Sequence, residues 1–166
     1  MGMSPDRSSD APESVLEPPP RDARLAVTGA VPRPVELDLA ALKRLPLAAI
    51  GPTDINSFSG RRLSSIQSYS GVRLIDILDD TGLMTYPRAF LKRCAVVAGS
   101  ADGYKALFSW SELYNTGLGP GVLVVWARDG RPLDAGVGPL ALIASGDRQL
   151  GPRHLRDLVS IHVQAI

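Results

Sequence analysis

Tyr69-Ser70-Gly71-Val72-Arg73-Leu74-Ile75-Asp76-Ile77-Leu78 lies near the middle of the chain. Its second half sets Leu74, Ile75, Ile77 and Leu78 on one apolar helical face, and Gly82 follows as a C-cap. The helix this predicts is short. No stretch of the chain supports a helix longer than about 10 residues, whereas a doubly wound dinucleotide fold places helices of about 10–15 residues between parallel strands. That fold also opens with a glycine-rich turn directly after its first strand. Neither feature is present, so it is rejected, and strands broken by short helices remain.

Upstream, Leu25, Val27 and Gly29 alternate with Ala26 and Thr28 as a strand does, and Val35 and Leu37 suggest a second. Asp38 is placed to cap a helix over Leu39–Leu45, stopped by Pro46. Ile50 to Ser70 mixes serines, glycines and arginines with scattered apolar residues and reads as strand–loop–strand. Downstream, Leu91–Ala98 and Tyr104–Phe108 are expected strands, joined through an Asp102-Gly103 turn. Ser109-Trp110-Ser111-Glu112 spells a capping box, so a short helix follows, ended by Gly117, Gly119, Pro120 and Gly121. Val122–Trp126 is a nearly continuous apolar run, as in a strand buried on both faces. Arg128–Pro132 reads as a turn, Leu140–Ala144 as a strand, and Leu158, Ile161 and Val163 mark the last one.

The chain has 166 residues, one domain's worth, with 45% hydrophobic and 21% charged residues. A net charge of +1 argues against a protein built to coat nucleic acid, and 5% aromatics argue against a base-stacking platform. No apolar run is long enough for a membrane span. Residues 1–23 hold five prolines and four serines, carry a net charge of −3, and show almost no apolar periodicity, so a disordered or extended leader is expected there. Residues 24–166 then form the domain, with a net charge of +4. No secretory signal is visible, and Met1-Gly2-Met3 reads like a cloning scar. The compartment stays open, with the cytoplasm expected if the chain is complete. The single cysteine, Cys94, excludes an internal disulfide and is expected to be buried in its strand.

Taken in order, these pieces resemble the sulfite-oxidase-type molybdopterin-binding domain. Leu25–Pro34 is similar to its opening strand and turn, and Val35–Pro46 to its next strand and short helix. Tyr69–Leu78 is similar to its "(y/w).Gv.l.dlL" segment and Asp102-Gly103-Tyr104 to its "DGY" hairpin. Asp129-Gly130-Arg131-Pro132-Leu133 with Gly138-Pro139-Leu140 is similar to "dG.pL…GPlrlv", and Gly146–Val163 to the closing loop and strand. The resemblance covers 24–166. It implies an α+β fold of curved mixed sheets with short helices. It also implies a molybdenum cofactor held by a pterin dithiolene, with one protein cysteine as a further ligand.

The chain departs from that pattern where the ligand cysteine belongs. Asn56-Ser57-Phe58-Ser59-Gly60-Arg61-Arg62 contains none, and Phe58 or Ser59 takes its place. A hydroxyl is a poor substitute for soft thiolate ligation. Ala141 and Ser145 stand where the family often has arginine and proline, while Arg156 falls near a family lysine. The resemblance therefore implies cofactor or anionic-ligand binding without classical molybdenum redox catalysis. The alternative is an interaction or scaffold protein that kept the fold and lost the cofactor. The expected ligand-binding residues are Arg61, Arg62, Arg148, Arg153, His154 and Arg156, because the arginine fork matches paired phosphate oxygens. No catalytic residue is assigned, and no metal other than the cofactor's is expected. His154 and His162 are not at ligand spacing, and no Ser–His–Asp set emerges. The expected partners are a small anionic ligand or pterin, or a protein.

Overall fold

The computed structural model of the protein describes Gly2 and residues 22–166. The leader expected over 1–23 therefore lies outside the described residues, apart from Gly2, Asp22 and Ala23. The elements run β1 (Arg24–Gly29), β2 (Val35–Asp38), α1 (Leu39–Leu42), β3 (Ala48–Ile50), β4 (Thr53–Asn56), β5 (Arg62–Ile66), β6 (Tyr69–Arg73), α2 (Leu74–Asp80), α3 (Arg88–Leu91), β7 (Cys94–Ser100), β8 (Lys105–Ser109), α4 (Trp110–Asn115), β9 (Val122–Arg128), β10 (Arg131–Pro132), β11 (Ala141–Ala144) and β12 (Leu158–Ala165). The fold is α+β, with mixed sheets and short helices.

One five-stranded sheet has the order β2-β1-β12-β7-β8, with β1 parallel to β12 and the other pairs antiparallel. A second, antiparallel sheet runs β10-β9-β6-β3, with β11 also on β9. Among the described residues β4 and β5 pair only with each other. The second sheet divides the interior. Val122 and Val124 of β9 and Leu142 and Ala144 of β11 face the larger core, which it shares with the first sheet and the helices. Leu123, Val125, Ala141 and Ile143 face a smaller core covered by Ile55, Ile66, Tyr69 and Leu150. This two-sided burial is why residues 122–126 are apolar without a break. The β4–β5 hairpin and the loop carrying Leu150 thus form an extra layer on the far side of the second sheet.

Local signals explain most boundaries. Asp38 Oδ1 accepts from the Ala41 N–H at 2.8 Å, so the cap is as expected, yet the helix stops at Leu42. The capping box at Ser109 and Glu112 has both of its bonds, each 2.9 Å. Leu91 differs from expectation: it closes the helical turn α3, and the strand starts at Cys94. The N–H groups of Leu91 and Phe90 both donate to the Pro87 carbonyl, and a proline fits the first positions of a helix because it has no N–H to lose. Among the described residues no helix is long and apolar enough to cross a membrane.

Candidate functional site

Two segments build the extra layer. The β4–β5 hairpin turns over Ser57–Arg61. The Ser57 N–H donates to the Arg61 carbonyl at 2.8 Å and the Gly60 N–H to the Ser57 carbonyl at 2.9 Å. Ser57 Oγ accepts from the Arg61 N–H and sits 2.9 Å from Ser59 Oγ. The serine hydroxyls are therefore spent on the turn. Phe58 is 86% exposed at the tip, and Arg61 and Arg62 are exposed with no hydrogen bond or ion pair from their side chains among the described residues.

The second segment is the loop from Ser145 to Asp157. At its start Ser145 donates to the Gly121 carbonyl through both N–H and hydroxyl. Near its end Leu155 exchanges backbone bonds of 2.9 Å with Leu142. Between them Arg153 acts as a clamp. Its Nε and Nη2 donate to both oxygens of Asp147, at 2.8 and 2.6 Å, and its Nη1 donates to the Leu107 carbonyl at 3.0 Å. Glu112 lies 3.4 Å from Nη1, and the guanidinium sits 4.3 Å from the Phe108 ring centroid. The Tyr104 hydroxyl donates to the Pro152 carbonyl at 2.5 Å. Loop and hairpin touch at Gly151, where a Cβ would fall 2.6 Å from the Asn56 carbonyl oxygen, so only glycine allows this approach.

The residue after the clamp is buried at its ring. His154 lies with its ring centroid 6.2 Å from that of the buried Tyr69, and its Nε2 is buried with no partner among the described residues. Burial, together with the positive charges of Arg156 and Arg128, lowers its pKa to about 4, so the ring is neutral near pH 7. Tyr69 is pushed up by burial, partly offset by the same two arginines. Gln149 Oε1, on the same loop, is also buried and unpartnered.

The structure thus gathers His154 and Arg156 with two residues the sequence did not single out, Tyr69 and Arg128, which face each other across β6 and β9. In sequence these two read only as a strand end and a turn; their pairing is set by sheet register. Arg61 and Arg62 stand on the neighbouring hairpin, and Arg148 is exposed on the loop with no partner among the described residues. Arg153 is placed differently, its donors already taken by carboxylates and a carbonyl.

A pterin-bound molybdenum has two demands, donors for its anionic end and a thiolate for its metal. The bare His154 Nε2 and the free arginines fit the first. The second is not met in the extra layer. Cys94 is 3% exposed in the larger core, across the second sheet, with its Sγ donating to the Phe90 carbonyl at 3.4 Å and its thiol pKa raised by burial. Among the described residues no group of three or more His, Cys, Asp or Glu is placed to hold a metal ion.

Fold and site together define a small α+β domain with exposed arginines near a buried histidine and, in its extra layer, no thiolate. The chain belongs to the oxidoreductase molybdopterin-binding domain family, whose model matches residues 12–165. Among solved structures it is similar to the sulfane dehydrogenase SoxCD from Paracoccus pantotrophus, at a TM-score of 0.63 and 16% identity over 86% of this chain. That likeness is one of fold. The chain spans 39% of the length of the sulfane dehydrogenase chain. No curated protein matches it.

Proposed function

We propose that the protein binds a molybdopterin-type cofactor or a related anionic pterin, holding it by its charged end and giving no thiolate to its metal. The observation that carries this reading lies on the Ser145–Asp157 loop, where His154 Nε2 and Gln149 Oε1 are buried with no partner among the described residues. More than about nine in ten such groups in folded proteins are bonded, and leaving one bare costs about 1–3 kcal/mol. Arg156 stands near His154 with no hydrogen bond or ion pair among the described residues, and Arg61, Arg62 and Arg148 offer further forks for phosphate oxygens. Arg153 holds the loop in place from behind. A neutral His154 donates or accepts a hydrogen bond without adding charge. Such a cofactor brings its own metal and dithiolene; this chain's residues contribute orientation and charge.

The test is titration of the full chain with isolated molybdopterin cofactor, repeated with Arg62→Ala and Arg156→Ala. Each variant is expected to bind about 10–100-fold more weakly, since a charge-assisted hydrogen bond is worth about 1.5–3 kcal/mol. Absence of binding by the wild type overturns the reading. It would leave the interaction-protein reading, which the 86% exposed Phe58 between two serines favours.

A further inference from the structure

The first sheet turns one face to the larger core and the other to solvent. Leu25, Leu37, Val96, Phe108 and Ile161 point from it into the core, so the alternate residues of each strand form the outer face. That face lies at the opposite end of the stack from the β4–β5 layer. Thr28, His162 and Leu107 are exposed on it, Leu107 by 63%.

Register lines up one row of this face across all five strands: Glu36 on β2, Ala26 on β1, Ser160 on β12, Gly99 on β7 and Lys105 on β8. A Cβ added at Gly99 would fall 2.6 Å from Ser160 Oγ and 3.5 Å from Lys105 Nζ, so these side chains do share one face. The row begins with an acid, ends with a base, and carries only short side chains between them. Neither terminal charge is saturated. Glu36 Oε1 accepts from Arg24 Nη1 at 2.9 Å, which leaves Oε2 with no partner among the described residues. The Lys105 side chain makes no hydrogen bond or ion pair among them. The next row reads Thr28, His162, Val97 and Leu107, and the exposed Pro34, just before β2, stands at its open end.

A row that is acidic at one edge and basic at the other is complementary to its own reverse. A two-fold axis parallel to the strands and above β12, the third of five, turns the order β2-β1-β12-β7-β8 end for end and keeps each row at its own height. We propose that this face is the contact between two copies of the protein, packed sheet on sheet about that axis. Glu36 of each copy then meets Lys105 of the other, and Leu107 of each meets Pro34 of the other. Such an isologous contact closes at two copies. Its strands run aligned, as in sheet sandwiches, where the two directions stay within about 30°. Five strands about 4.8 Å apart, with about 23 Å of strand length, bound the face at about 550 Å² per copy. A standard interface takes about 800 Å² per partner, so this dimer is weak and reversible, and its rim charges set register and partner choice more than affinity.

The test is sedimentation of the full chain over about 5–500 µM, where a monomer–dimer equilibrium is expected that added salt weakens. Lys105→Glu and Glu36→Lys should each weaken it at least tenfold, because each sets like charges against one another at both ends of the row. Mixing the two single variants should restore association, since a Lys105→Glu copy facing a Glu36→Lys copy has opposite charges at both ends. The double variant should associate like the wild type for the same reason. Leu107→Ser should weaken the dimer several-fold without a change in charge. The charge variants should keep the wild-type melting curve, because both side chains are exposed. A chain that stays monomeric over the whole range overturns the proposal. So does a dimer that ignores both charge reversals, which would use another surface, and so do single variants that stay apart when mixed.

Discussion

The β7–β8 hairpin buries Val96, Ala98, Ala106 and Phe108 in the larger core, while the β4–β5 hairpin buries only Ile55 and Ile66, in the smaller one. The first is stitched into a five-stranded sheet. Its turn is held by Asp102, whose carboxylate accepts from the Ser100 hydroxyl at 2.6 Å and the Tyr104 N–H at 3.0 Å; these bonds, the hydroxyl's first, keep its pKa below the usual range. The second hairpin has no strand neighbour among the described residues, and its turn displays Phe58, Arg61 and Arg62 to solvent. One hairpin is part of the first sheet's scaffold, and the other is a surface layer resting on the second sheet. The Arg153 clamp belongs to the scaffold side, because it ties the site loop to Phe108, Leu107 and Glu112 rather than to the β4–β5 hairpin.

The sharpest way to break this contrast is to hollow out each hairpin in turn. Phe108→Ala removes a ring that is 1% exposed and also the face on which Arg153 rests, so a loss of about 3–5 kcal/mol is expected in urea denaturation. Ile66→Ala deletes a side chain just as buried, at 2% exposure, but from the smaller core. It should lower global stability less, while hydrogen exchange over residues 53–66 speeds up. Equal global losses would mean that the two hairpins unfold as one unit.

A second test concerns the loop between the hairpins. His154 has a folded pKa of about 4 against an ordinary 6.5, so the unfolded chain binds more protons between these values. Stability contributed by the neutral ring is complete above about pH 6.5 and is lost as pH falls toward 4, by up to about 3 kcal/mol. His154→Gln should flatten that part of the pH profile relative to wild type. A profile parallel to wild type would show that the ring is hydrated in the folded protein. A smaller effect, about 2 kcal/mol, is expected for Arg153→Ala, which strands the half-buried Asp147 and releases the loop. Arg153→Lys should restore little of it, because an ammonium cannot serve both Asp147 oxygens and the Leu107 carbonyl in the fork geometry.

The same division explains what the sequence made legible. Strands β1, β8, β9, β11 and β12 follow alternation or an unbroken apolar run, because each faces one or both cores, and burial writes a pattern into residue type. The segment 50–70 reads only as strand–loop–strand, yet contains two full strands and the ends of two pairings within the second sheet, since Ile55, Ile66 and Tyr69, with the partly buried Ile50, are the large apolar residues packed inward there. The candidate arginines and histidine were legible by residue type, and how each is placed was not. Nothing in Arg148-Gln149-Leu150-Gly151-Pro152-Arg153-His154 distinguishes the clamped arginine from the free one; that depends on Asp147 and Leu107 coming within reach. Arg128 and Tyr69 are 59 residues apart and meet only through register.

The smallest effects belong at the tip of the β4–β5 hairpin, and they bear most directly on its being a surface. Phe58 is 86% exposed, so Phe58→Ser takes no apolar area out of a core and should shift stability by no more than about 0.5 kcal/mol. A Cβ added at Gly60 would meet nothing within 4 Å, yet the φ there is +89°, a region L-residues avoid. Gly60→Ala should therefore cost about 1 kcal/mol from backbone strain alone, confined to the turn that Ser57 and Arg61 close. The two variants separate shape from chemistry at one tip. If the hairpin is a wall of the ligand cleft, Gly60→Ala should weaken cofactor binding by displacing Arg61 and Arg62, while Phe58→Ser leaves it intact. If Phe58→Ser abolishes association with a protein and Gly60→Ala leaves cofactor binding untouched, the hairpin serves a partner, and the cleft ends at the loop.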